Sequence, residues 1–298
     1  MSRPPVLVFD AHLLIFRAFH SLPDLRAPDG TPTGAVRGYL QTLARILEKE
    51  RPPFVAAAWD PAMTSFRNDL YPDYKLGRTE VPADLEPQLE LCAEATAALG
   101  VPRLSLEGYE ADDIIATLVQ RLASVADLRI VSRDKDLCAL VSERVELVDP
   151  GTGERTGPAE VEARLGVPPT AVGDYLSLVG DAVDHIPGVR GIGARTAARL
   201  LGAFGSLDAI PRDAGALAAA GVRGAERVLS ALAAASETLA LSRELVRMRD
   251  DLPLDVGLAD LAWCGPDRTR IESLGERLGL GRLGSRLAEL QPTALESP

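Results

Sequence analysis

The sequence predicts an α/β layer fold with a mainly parallel, twisted sheet and flanking helices, followed by a purely helical region. Three observations carry that expectation. Apolar runs at residues 5–10, 54–60 and 128–136 each end in aspartate and read as buried strands of a parallel sheet. Segments of helical spacing alternate with them up to about residue 165, the pattern of a layered βαβ arrangement. After about residue 168 the strand signals stop, and the chain becomes rich in Ala, Leu and Arg.

The elements follow in order. Pro5-Val-Leu-Val-Phe-Asp10 opens the sheet, and residues 34–50 carry the first long helical pattern. Phe54-Val-Ala-Ala-Ala-Trp-Asp60 reads as a second strand, with a helix expected over 82–99. A helix over 111–123 starts within Glu110-Ala-Asp-Asp113, the third strand runs through 128–136, and Pro158 opens a helix over 158–165. The pair Pro168-Pro169 begins a new helix, which puts the expected division at 1–167 and 168–290, with 291–298 as a tail. Helical spacing then covers 194–201, 217–245 and 268–290.

A chain of 298 residues with 46% hydrophobic and 25% charged content can bury a sizeable core. No apolar run approaches the eighteen or so residues of a membrane span, and no leader precedes the first strand, so the expectation is a soluble cytoplasmic monomer with no membrane partner. Three scattered cysteines, Cys92, Cys138 and Cys264, indicate neither a disulfide framework nor a zinc knuckle and are expected to be buried thiols. The net charge of −11 argues against a nucleic-acid partner until its distribution is considered.

Nine acids, Asp10, Asp60, Glu110, Asp112, Asp113, Asp134, Asp136, Asp181 and Asp184, fall where such a sheet would gather them. Ligands bind outside the carboxyl ends of parallel strands, and like charges brought together repel unless protonated or neutralised by cations. Carboxylate oxygens suit hard ions, Mg²⁺ or Mn²⁺. A lone acid in a first helical turn only complements the helix dipole, but three within Glu110-Ala-Asp-Asp113 exceed that need. Asp134-Lys-Asp136 alone would pass for a charged turn, and its place after an apolar strand shifts the reading toward metal.

Residues 180–197 hold Asp181 and Asp184, a Gly-rich turn with Gly188, Val189, Arg190, Gly191, Ile192 and Gly193, and then a helix start with Arg195 and Thr196. With no strand before it this is a poor dinucleotide loop; an αα-hairpin gripping a nucleic-acid backbone fits better. Phe66, Arg67, Tyr71, Tyr74, Lys75 and Arg78 mix aromatics with cations, a composition suited to unpaired bases and phosphates and equally to a solvated loop. No G-x-S-x-G elbow, Walker loop or H-E-x-x-H is present. Of the three histidines, His20 is expected to pack, His12 to lie near Asp10 and His185 to belong to the turn.

Taken with Asp10-Ala-His-Leu-Leu-Ile-Phe-Arg-Ala-Phe-His20, Gly108-Tyr-Glu-Ala-Asp-Asp113, Leu241-Ser-Arg-Glu-Leu245 and Trp263-Cys-Gly-Pro-Asp267, these motifs make the chain resemble the 5′-nuclease family along nearly its whole length. The resemblance is to the 5′→3′ exonuclease domain of bacterial DNA polymerase I and to stand-alone bacterial flap endonucleases. It implies a PIN-like α/β nuclease domain and a helix–hairpin–helix-type (H3TH) module that grips duplex DNA and often holds K⁺. It implies that Asp10, Asp60, Glu110 and Asp112 hold one metal and Asp112, Asp134, Asp136 and Asp181 serve a second, with Asp113 and Asp184 in support. Lys75 and Arg78 would steady the scissile phosphate, and Arg17 and Arg67 would stand near the cleft. The implied activity is Mg²⁺-dependent two-metal hydrolysis of DNA from 5′ ends, nicks or flaps in replication or repair, with RNA primers as further substrates. Ala11 departs from the usual Gly, and Val131-Ser-Arg from the usual Ser-Thr-Gly, without removing an acid. The rival readings are a non-catalytic DNA-junction binder of the same fold and a PIN-type ribonuclease.

Overall fold

The computed structural model describes residues 3–77 and 81–293. Among them a six-stranded sheet runs in the order β3-β2-β1-β4-β5-β6. Its strands are β1 (Pro5–Asp10), β2 (Phe54–Ala58), β3 (Arg103–Leu104), β4 (Asp127–Val131), β5 (Val145–Val148) and β6 (Arg155–Thr156). All pairings are parallel except β5 with β6, which closes one edge antiparallel. β1 lies between β2 and β4, so the strand order reverses beside it, and the crevice of a doubly wound sheet opens at the carboxyl end of that point.

The helices of the first half are α1 (Ala11–Ser21), α2 (Gly34–Glu50), α3 (Phe66–Leu70), α4 (Glu86–Ala98), α5 (Ala111–Leu122) and α6 (Pro158–Leu165). Those that follow are α7 (Val172–Val179), α8 (Ala194–Phe204), α9 (Ala214–Ala219), α10 (Ala225–Ala234), α11 (Ser236–Val246), α12 (Arg268–Arg277) and α13 (Arg282–Ala288). No helix among the described residues is long and apolar enough to cross a membrane.

Side chains alternate across a strand, so each apolar run feeds two cores. Val6, Val8, Ala56, Leu128 and Ile130 face α5 and the helices α7 to α11. Leu7, Phe9, Val55, Ala57 and Val131 face α1, α2 and α4, and this second core also takes Ile271, Leu274, Leu283 and Leu287 of α12 and α13. The last two helices therefore return to the sheet and pack beside α2 and α4. Trp263 secures that return: its backbone N–H donates to the Pro53 carbonyl at 2.9 Å and its indole to the Leu99 carbonyl at 2.8 Å.

Several boundaries differ from the sequence expectation, each for a local reason. The strand expected to reach Asp136 stops at Val131, and a 3₁₀ turn takes over at Asp136–Leu140. The helix expected from residue 82 starts at Glu86, once the turn around Pro82 and Asp84 has closed. The long pattern over 217–245 breaks where Gly221 and Gly224 adopt φ of 76° and 65°, and the pattern over 268–290 breaks at Gly279 and Gly281. Cys92 and Cys138 are buried, but Cys264 is exposed, because Trp263 beside it takes the inward position.

Candidate metal centre and nucleic-acid interface

The acids arrive at the crevice by different routes. Asp10 ends β1 and caps α1, accepting the Leu13 N–H at 3.3 Å and the Ser132 hydroxyl at 2.8 Å. Asp60 follows β2 and accepts the Ala111 N–H at 2.6 Å, which ties it to the start of α5. Ser132 follows β4 and also accepts the Asp134 N–H at 3.0 Å, while Asp134 accepts the Asp136 N–H at 2.8 Å. Ser132 thus couples the end of one strand to the acids beyond the next, a role its position two residues before Asp134 could have signalled.

Asp10, Asp60, Glu110, Asp112 and Asp134 line one cleft of about 580 Å³, together with Lys75 and His12. Asp136, Asp181 and Asp184 form a second group, each offering an oxygen within 4.8 Å of the others. Asp134 connects the two, since its charge acts on Asp10 and Asp112 on one side and on Asp136 on the other. Burial, with Asp134 and Asp60 adding repulsion, pushes the Asp10 carboxyl up to about 7. Burial and Asp134 do the same to Asp136, also to about 7, and hold Asp112 well above the usual range.

Cations offset this crowding only in part. Glu110 is half-buried, which raises its carboxyl, yet Lys75 and Arg67 keep it below the usual carboxylate range. Its oxygens accept the Ser65 hydroxyl at 2.6 Å, Lys75 Nζ at 2.9 Å and the Tyr74 hydroxyl at 3.1 Å. Lys135 Nζ donates to Asp181 at 2.7 Å, which with the Val183 N–H holds Asp181 low against its own burial. Lys75 and His185 adopt left-handed φ of 51° and 56°, and the Lys75 N–H meets the Asp184 carbonyl at 3.0 Å. Such φ costs about 1 kcal/mol for a residue with a Cβ. The strain is stored where the two loops meet.

Several expected site residues lie elsewhere. Asp113 is fully buried and holds no ligand position open: Arg67 grips both its oxygens at 2.8 Å, and the N–H groups of Arg249 and Glu110 donate at 2.8 and 3.1 Å. Arg67, expected near DNA, is 3% exposed and spends its other donors on the carbonyls of Leu245 and Arg247. Tyr74, 4% exposed, points its hydroxyl at Glu110 and is no stacking platform. The Phe66 ring is taken up by the guanidiniums of Arg67 and Arg249 and by Tyr109, and Tyr71 packs with the cluster of Tyr74, Ile186 and Leu245. Arg17 lies outside the cleft, in a groove beyond α1. Arg78 lies outside the described residues. His20 is exposed at the cleft rim rather than packed, and the Nδ1 of His12 accepts the Asp60 N–H at 3.1 Å.

The Gly-rich turn joins α7 to α8. Val189 and Ile192 are core side chains, leaving only their backbone for any ligand. Gly188 is small for an internal reason: a Cβ there would meet the Val179 carbonyl at 2.2 Å. Gly191, with φ of 91°, and Gly193, capping α8, face open space beside exposed Arg190 and Arg195, with Thr196 half-buried.

Whether these residues suit divalent cations can be judged from the donors. Asp136 Oδ1 is buried with no hydrogen-bond partner, in a group that supplies only carboxylate oxygens. A buried acceptor without a donor costs about 1–3 kcal/mol, and a cation satisfies it. The residues fit the group.

A doubly wound α/β sheet with a carboxylate-rich crevice defines a class of proteins suited to hard cations. Sequence profiles narrow that class: the 5′-3′ exonuclease N-terminal resolvase-like domain matches residues 5–166, and the 5′-3′ exonuclease C-terminal SAM fold matches 167–269. A 5′-3′ exonuclease from Aquifex aeolicus is 34% identical, over 93% of this chain and 92% of its own. The thermostable DNA polymerase I of Thermus aquaticus is 38% identical over 98% of this chain, but the match spans 34% of that protein. DNA polymerase I of Rhizobium leguminosarum is 41% identical over 85% of this chain and 25% of its own. Solved structures share the fold: a bacteriophage T5 flap endonuclease with DNA and metal ions has TM-score 0.65 at 18% identity, covering 96% of this chain and 98% of that one. The catalytic core of Rad2 with DNA substrate has TM-score 0.64 at 15% identity, covering 97% and 92%. The chain belongs to the 5′-3′ exonuclease family.

Two outcomes follow from the electrostatics. Arg67→Ala should lower unfolding free energy in urea by about 3–5 kcal/mol, because it strands the Asp113 charge in the core; an unchanged midpoint would contradict the clamp. For metal-free protein in EDTA, Asp10 and Asp136 stabilise the fold while protonated, so that contribution is complete below about pH 4 and lost as pH rises through about 7. Glu110 and Asp181, held low, act at lower pH. Stability should therefore fall by a few kcal/mol between about pH 4 and 7, and Asp136→Asn should flatten the decline; a profile flat in both proteins would show that the acids do not repel.

Proposed function

We propose that this chain is a metal-dependent 5′→3′ exonuclease and 5′-flap endonuclease that hydrolyses DNA phosphodiester bonds in replication or repair. The observation that carries the reading is the convergence of carboxylates at the switch point of the sheet, with one Asp136 oxygen buried and unpartnered. Asp10, Asp112 and Asp134, with Asp60 beside them, would hold one cation, and Asp136, Asp181 and Asp184 a second. Mg²⁺ or Mn²⁺ suits such oxygens. Bound there, the ions supply Lewis-acid chemistry, lowering the pKa of a water and neutralising charge on a phosphate.

The remaining work falls to the chain itself. Ser132 and the Leu13 N–H fix the Asp10 carboxylate, and the Ala111 N–H fixes Asp60. Lys75 stands in the cleft wall on Glu110, held fully charged by it, where its ammonium can meet the charge that develops on a phosphate. Family membership supports the nuclease reading, as does the Aquifex aeolicus 5′-3′ exonuclease, which shares nearly its whole length with this chain. Gly191, Gly193 and the start of α8, flanked by Arg190 and Arg195, offer backbone N–H groups and charge for a duplex phosphate. In this reading residues 1–167 form the catalytic unit and 168–290 the helical one along the chain, although α12 and α13 pack with the first.

Asp112→Asn should cut cleavage of a labelled 5′-flap DNA in Mg²⁺ by at least ~10²-fold while the thermal midpoint holds or rises; normal turnover by the folded variant would sink the assignment. Lys75→Ala should lower the saturated single-turnover rate by about 10²-fold with little change in affinity. A pure affinity loss would make Lys75 a positioning group only.

A further inference from the structure

A second charged feature lies on the far side of α1 from the acidic cleft. There α1, α2, the turn after β5 and α13 enclose a groove of about 630 Å³. Arg17, Arg37, Arg45, Arg282 and Arg286 line it, and its lining contains no acid, in a chain whose net charge is −11. Only Arg286 is neutralised, by Glu48; the other four make no ion pair among the described residues. Like charges gathered without counterions are unfavourable unless an anion joins them.

The arginines are also held in place without losing charge. Arg37 donates to the Gly279 carbonyl at 2.7 Å, and its Nε is buried with no partner. Arg45 donates to the Pro150 carbonyl. Arg17 fits over Gly151, where a Cβ would stand 2.9 Å from its Nη2. Carbonyls orient Arg37 and Arg45, and carbonyls leave the positive charge uncancelled.

The spacing identifies the anion. Arg37, Gln41 and Arg45 follow one another at single helical turns along α2 and line the same groove, so the outer two stand about 12 Å apart along the axis. A single phosphate cannot reach both, whereas a nucleic-acid strand carries a charge about every 3.4 Å. We propose that this groove is a second nucleic-acid site, which takes the phosphodiester backbone of the substrate where it runs past the cleft. α1 is the shared wall: Asp10 caps it and His12 and Phe16 line the cleft, while Arg17 faces the groove. The inference rests on the nuclease reading of the cleft.

The test measures binding of labelled 5′-flap DNA by anisotropy in Ca²⁺ across a NaCl series, using the whole chain. Arg37→Gln/Arg45→Gln should bind about tenfold more weakly, and its slope of log K against log[salt] should shrink by about 1 per arginine removed. Arg282→Gln, whose exposed side chain makes no hydrogen bond among the described residues, should show about half that effect with an unchanged melting midpoint. Arg144→Gln, beside Asp127 at the opposite end of the sheet, should bind like the parent. The saturated single-turnover cleavage rate in Mg²⁺ should be unaffected in all three. Trimming the substrate arms from either end should reach a length at which parent and double variant bind alike. Equal affinity and slope for parent and groove variants, with the parent still cutting flap DNA, would overturn the groove alone. If the parent neither bound nor cut flap DNA, the nuclease reading would fall with it.

Discussion

The buried pair of Arg67 and Asp113 is the constraint on which the site depends. It joins α3, the first turn of α5 and the end of α11, because the same guanidinium reaches the carbonyls of Leu245 and Arg247. The Arg249 N–H returns to Asp113, and Thr117 and Arg121 extend the attachment through Arg249, Leu252 and Leu254. Successive helical residues point about 100° apart, so a helix that commits Asp113 to its inner face turns Asp112 toward the crevice. One acid is spent on structure so that its neighbour is presented.

Presenting acids has a cost that the fold meets unevenly. Lys75 and Lys135 each neutralise one member, Glu110 and Asp181. Asp10, Asp112 and Asp136 have no such partner, and burial raises all three. The molecule therefore carries surplus negative charge in the crevice and surplus positive charge beyond α1, a polarity that net charge conceals. Phosphate can approach the first only with cations and the second directly.

Much of this was legible in the sequence because it follows from period and placement. Apolar runs ending in acid specify strands whose ends gather charge, and Pro5–Asp10, Gly34–Glu50 and Pro158–Leu165 fall where their patterns put them. What escaped depends on direction rather than identity. Asp112 and Asp113 are the same residue type in adjacent positions, and only packing decides which faces the crevice. Arg67 and Tyr74 looked like ligand-facing side chains because a cation or aromatic near an acid reads the same whether it serves substrate or scaffold. The arginine groove draws on residues 17, 37, 45, 282 and 286, which no window along the chain brings together. Cys264 and His20 were misplaced for the same reason, since exposure at a helix end or turn is set by a neighbour such as Trp263.

The central claim, that the gathered acids form a divalent-cation site, is tested most directly by counting bound ions. Free Mn²⁺ gives a six-line electron paramagnetic resonance signal that is lost on binding, so titrating the metal-free protein at pH 7.5 yields an isotherm independent of any nuclease assay. The account predicts saturable binding in the parent that is weakened by Asp112→Asn and by Asp136→Asn. A linear, unsaturable isotherm in the parent, or saturable binding untouched by both substitutions, would contradict it.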